Sequence, residues 1–402
     1  MERYRFNMGN RRESIDKGVD QIVRKNILRL PLFIGTGVKY YCAGHILIPK
    51  PVVFTLGITR KCNSRCIMCS IWKTKPGKEP SLSEIQEIFT NPLLNRLETV
   101  ILSGGEPTLR EDLPQIVQVI LDSNPRIKQV WLITNGLEPS VVGERVKDIL
   151  DLAAYSRLKK FAVEVSLDGY GDTHERIRRV PGAFDRVNET IKVLKNLQLN
   201  SQFGICLNCV VQKLNVSDLP QISKFARKME LPITFGPVVQ GLGNEKDFKE
   251  HLRPSDDQLR VLKDFFSHQI EHTIKLSTVV LWQDYFRTIR GEKRRIPCAL
   301  LYHSLIMAPE GDLFVCANES LVYGNVHNSA IDKIWYSDET EELRKKAKKC
   351  ICPTCRMSCN TPFSLRYEFF YFAKFLIKIV LRRFFRRPKV STIFAGDEPH
   401  TL

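Results

Sequence analysis

The sequence predicts an α/β fold: a partial (β/α)6 barrel of TIM type, a small cysteine-rich C-terminal domain, and amphipathic helices at the two ends of the chain. Three observations lead there. Short β-branched apolar runs alternate with helix-period stretches through six units between residues 51 and 240. Six units are too few to close an eight-stranded barrel, and such alternation implies parallel strands with right-handed crossovers. The loops of unusual composition all follow strands, the side on which βα folds gather reactive groups.

Residues 1–50 read as an N-terminal arm, in which Val19, Ile22, Val23, Ile27 and Leu30 follow a helical period with Lys25 and Arg29 between them. The arm is expected either to face a membrane or to pack on the barrel. In the barrel, 51–240, strands are expected at 52–58, 98–103, 128–134, 160–167, 203–211 and 232–236. Helices are expected between them at 82–90, 112–122, 141–153, 184–196 and 218–228. A charged helical linker region, 241–295, carries Asp284, whose carboxylate could face a substrate. The cysteine-rich domain spans 296–362, and a disordered tail is expected at 389–402. Between them, in 363–388, Lys374, Lys378, Arg382 and Arg386 recur every four residues along an otherwise bulky apolar run that Pro388 ends. This pattern fits an interfacial helix on anionic headgroups, or a helix docked on the protein's own arm. No segment reaches the ~20 apolar residues needed to span a bilayer.

The chain has 402 residues, enough for two or three domains, and 43% hydrophobic with 26% charged residues excludes wholesale disorder. Met1 to Ser14 is polar and lacks the apolar core of a secretory leader, so the twelve cysteines suggest metal ligation or burial in a reducing compartment rather than a disulfide framework. The expected location is the cytoplasm, peripheral on the inner face of the membrane. A net charge of +17, concentrated at the ends among aromatic residues, favours an anionic membrane surface over nucleic acid.

The strand at 52–58 runs into Cys62, Cys66 and Cys69, a C-x3-C-x2-C loop. Three thiolates in eight residues can wrap one face of an iron–sulfur cubane and leave one iron without a protein ligand, open to a small molecule. Buried cysteines, or zinc with a distant fourth ligand, are the alternatives. Further along come Ser103-Gly104-Gly105-Glu106-Pro107, Thr134-Asn135-Gly136, Ser166-Leu167-Asp168-Gly169 and the strand around Asn208. Gly104 and Gly105 permit close backbone approach beside the Glu106 carboxylate, and Ser166 and Asp168 can share protons with hydroxyl groups. Cys206 and Cys209, three apart on a strand, point to opposite faces and read as structural.

With the cysteine loop, these stretches resemble the radical SAM superfamily over about the first 240 residues. The resemblance implies a 4Fe–4S cluster on Cys62, Cys66 and Cys69. It also implies S-adenosylmethionine (SAM) held at Gly104, Gly105, Glu106, Asn135, Ser166, Asp168 and Asn208, with Met68 against the adenine and Arg178 near the carboxylate. The implied chemistry is reductive SAM cleavage to a 5′-deoxyadenosyl radical that abstracts hydrogen from an unactivated carbon, with electrons from a flavodoxin- or ferredoxin-type donor. Six more cysteines, Cys298, Cys316, Cys350, Cys352, Cys355 and Cys359, fall in the C-terminal domain in an order that resembles the SPASM/twitch extension of these enzymes. Eight thiolates would be needed to ligate two cubanes fully, so one auxiliary 4Fe–4S cluster is expected, held by Cys298, Cys316, Cys352 and Cys355, with Cys350 and Cys359 as alternates. A structural zinc ribbon is the alternative. The amphipathic ends point to a lipid, isoprenoid or lipid-linked polyol as substrate. Peptide or protein side-chain maturation is the rival enzyme reading, and a non-catalytic iron–sulfur or zinc-binding membrane adaptor the rival from another class.

Overall fold

The computed structural model describes residues 48–75, 77–238, 252–272, 276–294, 298–314 and 321–355. Both amphipathic ends, and with them Cys316 and Cys359, lie outside the described residues. Two compact units divide the chain, one of Ile48–Ser255 with Leu300–Cys352, the other containing Asp256–Ala299.

The first unit follows the expected alternation. In order come β1 (Val53–Thr59), α1 (Leu82–Thr90), β2 (Thr99–Gly104), α2 (Leu113–Ser123), β3 (Gln129–Thr134), α3 (Pro139–Leu150) and β4 (Lys160–Ser166). Then α4 (Asp172–Arg178), α5 (Ala183–Leu197), β5 (Phe203–Val211), α6 (Leu219–Lys228) and β6 (Ile233–Pro237) complete the series. Helix starts are written in the sequence. Ser81 and Glu84 form a capping box that satisfies the first free amides of α1, and Pro114, Pro139 and Pro220 stand in the first turns of α2, α3 and α6, where a missing N–H costs nothing. The helix α4 was not anticipated, because seven residues are too short for a clear period. It ends on Arg179 in the left-handed region (φ 55°).

All six strands are parallel, β1 with β2 through β5 with β6. Alternation assigns their faces. Val163, Val165, Leu207 and Cys209 are buried, and a Cβ built on Gly136 would meet Val165 together with Val187 and Thr190 of α5, so this face carries the helices. The half-buried residues between them, including Trp131, Ile133, Glu164, Ser166, Cys206 and Asn208, point to the opposite face. Cys206 and Cys209 accordingly lie on opposite faces, as a structural pair should.

The second unit contains α7 (Asp256–His272) and α8 (Leu276–Ile289). Phe266 stacks on Trp282 with ring centroids 3.4 Å apart, and Tyr285 and Phe286 close the same aromatic cluster. Asp284 is buried and lies 3.8 Å from Arg294, whose charge offsets the cost of a carboxylate at that depth.

Residues 300–352 group with the barrel strands in one compact unit. After α9 (Leu300–His303), β7 (Ser304–Met307) adds to the free edge of β1 in parallel, Phe54 opposite Leu305, and β8 (Asp312–Phe314) and β9 (Val322–Asn325) continue antiparallel. The sheet has nine strands in the order β6-β5-β4-β3-β2-β1-β7-β8-β9. Beyond it lie α10 (Ile331–Trp335) and α11 (Asp338–Lys346). Arg344 of α11 is fully buried, donating to the carbonyls of Leu301 and Trp335 with its guanidinium 4.3 Å from the Trp335 ring. That arrangement fixes the helix to α9 and α10 through a satisfied charge.

Candidate active site: a cysteine loop closed by four strand ends

The loop after β1 is held in place by backbone. Gly105 N–H donates to Thr59 carbonyl at 2.7 Å and Glu106 N–H to Lys61 carbonyl at 2.8 Å. Arg65 and Ile67 donate to the carbonyls of Arg178 and Ile177 at the end of α4, and Trp72 Nε1 donates to the carbonyls of Cys69 (2.8 Å) and Cys66 (3.2 Å). Cys66 is buried, Cys62 and Cys69 half-buried. Burial, with the neighbouring thiols and Glu106 adding to it against a backbone hydrogen bond at Ser64, pushes the Cys62 thiol up to about 11. Bound metal reverses this, since ligation requires the thiolate.

The glycines expected at a ligand serve the loop itself. Gly104 has φ +129°, and a Cβ there would lie 2.4 Å from Thr59 O; at Gly105 it would lie 2.1 Å from Lys61 O. Glu106 also differs from expectation. It is 1% exposed, and its carboxylate accepts from Thr108 N–H and Oγ1, Thr134 Oγ1 and Asn135 N–H. Burial raises its pKa while those four donors lower it, and the group ties the ends of β2 and β3 together. Asn135, buried, donates from Nδ2 to Asn63 Oδ1 at 2.7 Å, with Cys62 Sγ at 3.9 Å, so it orients the cysteine loop.

Asp168 and Arg178 are likewise internal. Asp168 is fully buried; its Oδ1 accepts from Val210 N–H at 2.8 Å and its Oδ2 lies 2.6 Å from Arg178 Nη2. Burial opposes the Arg178 charge, but Asp168 and the nearby cysteines outweigh it and hold the guanidinium protonated. The two form a buried ion pair, and Arg178 Nε has no hydrogen-bond partner among the described residues. Met68 joins Ile67, Val210, Val238 and Leu252 in an apolar cluster, with Gln212 Nε2 3.9 Å from its sulfur.

Ser166, Asn208 and Glu164 stand differently. Ser166 is the register partner of Asn208, and Glu164 of Cys206, so the three share one face of β4 and β5, opposite Val165 and Leu207. All are half-buried, and their side chains take no hydrogen-bond partner among the described residues. Burial alone raises the Glu164 carboxyl. Sequence reading missed Glu164, whose only local signal is a charge inside an apolar strand. It missed His174 as well. Fully buried, His174 accepts from Asp168 N–H at Nδ1, 3.0 Å, and burial followed by the Arg178 charge lowers its pKa to about 3. The unfolded chain therefore binds a proton below about pH 6.5 that the folded chain refuses down to about 3. His174's contribution to stability, complete above pH 6.5, is expected to erode on the order of 1 kcal/mol per pH unit over that window. Denaturant melts from pH 7 to 4 should show a flatter decline for His174→Gln.

Among the described residues no three His, Cys, Asp or Glu side chains converge as ligands of a single ion must. A cubane keeps its ligating sulfurs apart, each on a different iron, so three cysteines on one loop fit a cluster better than mononuclear zinc. In the C-terminal region Cys298, Cys352 and Cys355 are half-buried and Cys350 is exposed.

A parallel βα sheet with Cys62, Cys66 and Cys69 on the loop after its first strand is the arrangement that would hold an iron–sulfur cluster for use with SAM. Comparison with known proteins agrees: residues 56–226 match the radical SAM superfamily and residues 298–360 the SPASM iron–sulfur cluster-binding domain, and the chain belongs to this family. Its cofactors are a 4Fe–4S cluster and SAM, and the SPASM region implies an auxiliary cluster. The AdoMet-dependent heme synthase of Methanosarcina barkeri is 27% identical over 340 residues, 76% of this chain and 91% of that protein. The probable GTP 3′,8-cyclase of Methanococcus maripaludis is 30% identical over 200 residues, 49% of this chain and 61% of the cyclase. Among solved structures, anSMEcpe with bound AdoMet superposes with a TM-score of 0.57 at 18% identity, covering 83% of this chain and 100% of that one. SuiB of Streptococcus suis bound to S-adenosylmethionine gives 0.52 at 15% identity, covering 77% and 72%. None of these proteins is named for a lipid substrate. No helix among the described residues is long and apolar enough to cross a membrane.

Proposed function

We propose that this radical SAM enzyme abstracts hydrogen from an unactivated carbon of a peptide or protein side chain, and that the face of β4 and β5 carrying Ser166 and Asn208 receives SAM and substrate. The observation that carries the reading is the row Glu164, Ser166 and Asn208, three polar side chains on one face with no partner among the described residues, beyond a loop of three cysteines. When bound, the cluster and SAM supply a reductively generated 5′-deoxyadenosyl radical able to abstract hydrogen.

The residues of the chain do the rest. Cys62, Cys66 and Cys69 hold the cluster; Gly104, Gly105, Glu106 and Asn135 fix their loop. Ser166 and Asn208 offer a hydroxyl and an amide to the ribose and adenine, while apolar neighbours around Met68 exclude water. Glu164, one alternation deeper, contacts the substrate. Cys298, Cys316, Cys352 and Cys355 hold the auxiliary cluster, with Cys350 and Cys359 as alternates. The peptide reading draws on neighbours of the same fold solved with peptides, anSMEcpe with Kp18Cys and SuiB with its precursor SuiA. The run of Lys374, Lys378, Arg382 and Arg386 favours a second reading, a lipid or lipid-linked polyol at an anionic membrane.

The deciding assay is anaerobic turnover of the reconstituted chain with dithionite, following 5′-deoxyadenosine against total lipid extract, short peptides encoded beside the gene, and an iron porphyrin. Stimulation by peptide supports the first reading, and stimulation only by lipid the second. No SAM cleavage by a chain with its full complement of iron removes both. Replacing Glu164 by Gln should lower kcat/KM for the true substrate about 10–100-fold, the worth of a charged hydrogen bond. An unchanged kcat/KM would place Glu164 outside the substrate site.

A further inference from the structure

Cys66 is the most enclosed thiol of the loop, 7% exposed, and two polar side chains reach its sulfur. Ser64 Oγ lies 3.0 Å away, and Arg178 Nη1 donates to it at 3.5 Å. The second terminal nitrogen of Arg178 lies 2.6 Å from Asp168 Oδ2. Asp168 is itself fixed, accepting from Val210 N–H and donating from its own N–H to His174 Nδ1. Backbone closes the arrangement: Arg65 and Ile67, on either side of Cys66, donate to the carbonyls of Arg178 and Ile177. The guanidinium and the sulfur are therefore held in register from both ends. Cys62 is served by uncharged donors instead, the Ser64 backbone and Asn135 Nδ2 at 3.9 Å, which also donates to Asn63 Oδ1 at 2.7 Å.

We propose that Arg178, oriented by Asp168, donates a hydrogen bond to the Cys66 sulfur and thereby raises the reduction potential of the cluster carried by the cysteine loop. The inference rests on Cys62, Cys66 and Cys69 holding that cluster. Reduction adds an electron that is shared with the sulfur ligands, so an N–H···S bond stabilises the reduced state more than the oxidised one. At a site this buried, little solvent screens the effect. Asp168 offsets most of the added positive charge, which leaves the directed hydrogen bond as the working part. Arg178 and Asp168 are positioning residues, acting through Cys66 and touching neither SAM nor substrate.

The test is a reductive titration of the reconstituted full chain without SAM, followed by electron paramagnetic resonance. The loop cluster is recognised as the one whose signal changes when SAM is added afterwards. Arg178→Gln alone would strand the Asp168 charge, so it is paired with Asp168→Asn, which keeps Oδ1 for Val210 N–H and removes both charges together. The double variant is expected to shift the reduction equilibrium about tenfold toward the oxidised cluster, about 59 mV for one electron. R178K keeps the charge but loses the fork that spans Asp168 and Cys66, and should shift it in the same direction by less. The auxiliary-cluster signal should not move. Wild-type potentials in both variants would overturn the proposal. An effect on SAM affinity with no change in the SAM-free potential would overturn it too, returning Arg178 to the SAM carboxylate. Should the variants not fold, wild-type protein labelled with guanidino-15N arginine decides: pulsed resonance of the reduced cluster is expected to show arginine-nitrogen coupling, and its absence would overturn the inference. Wild type that assembles no loop cluster at all would instead fail the site assignment.

Discussion

Replacing Gly105 by Ala is expected to lower SAM cleavage at least 100-fold, a loss of the order that a misplacement of about 1 Å brings at a reacting centre. The new Cβ would stand 2.1 Å from Lys61 O, 2.7 Å from Lys61 C and 2.9 Å from Arg60 O, all backbone atoms. No side-chain rotation relieves that overlap. The strand end must retreat from the loop, and the hydrogen bonds from Gly105 N–H to Thr59 and from Glu106 N–H to Lys61 go with it. Those two bonds set the start of the loop immediately before Cys62. The rest of the sheet contains the main core, so the variant should still fold, with reduced iron at the loop. Iron analysis, circular dichroism and 5′-deoxyadenosine formation check this together. A folded variant with full iron and wild-type turnover would show that the close approach of β2 to the loop is dispensable.

The second large effect is expected from the triple variant of Cys62, Cys66 and Cys69 to Ala. Wild type should bind about eight irons, from two four-iron clusters, and the variant about four, with 5′-deoxyadenosine falling to the dithionite background. Four irons falling to none would mean that the SPASM region of this chain holds no cluster. An unchanged iron count would move the cluster away from the loop and end the reading built on it. The variant should remain folded, because only Cys66 of the three is buried.

Much of this architecture could be read locally. Alternating apolar runs place all six parallel strands within a few residues of where they stand, because burial of one sheet face leaves a period of two that short windows detect. The cysteine loop is legible for a similar reason: a cluster needs several thiolates from one short segment, so its ligand spacing is a local property. The glycine pair is legible as a place of close backbone approach, although the backbone it meets is that of Thr59 and Lys61.

The work of the polar residues around the loop was not legible. Glu106 and Asp168 sit in the motifs that suggest SAM contacts and Arg178 follows them, yet each is buried and bonded to protein groups. Motif position says that a residue lies at a strand end; it does not say which way the side chain turns or what is already there. Arg178 meets Cys66 across 112 positions of sequence, and Arg60 pairs with Glu310 across 250. Glu164 reads as an oddity within an apolar strand, and only its register against Cys206, one step below the Ser166–Asn208 pair, gives it a place.

The sequence by itself determined the parallel βα plan, the three-cysteine loop and the second group of cysteines, since these follow from periodicity and short-range ligand spacing. Only the tertiary structure decided that β7 extends the barrel's sheet at β1, that Asp168 and Arg178 serve Cys66, and that Ser166, Asn208 and Glu164 share one face. Those facts depend on which distant segments the buried core brings together, and no local window of residues records that choice.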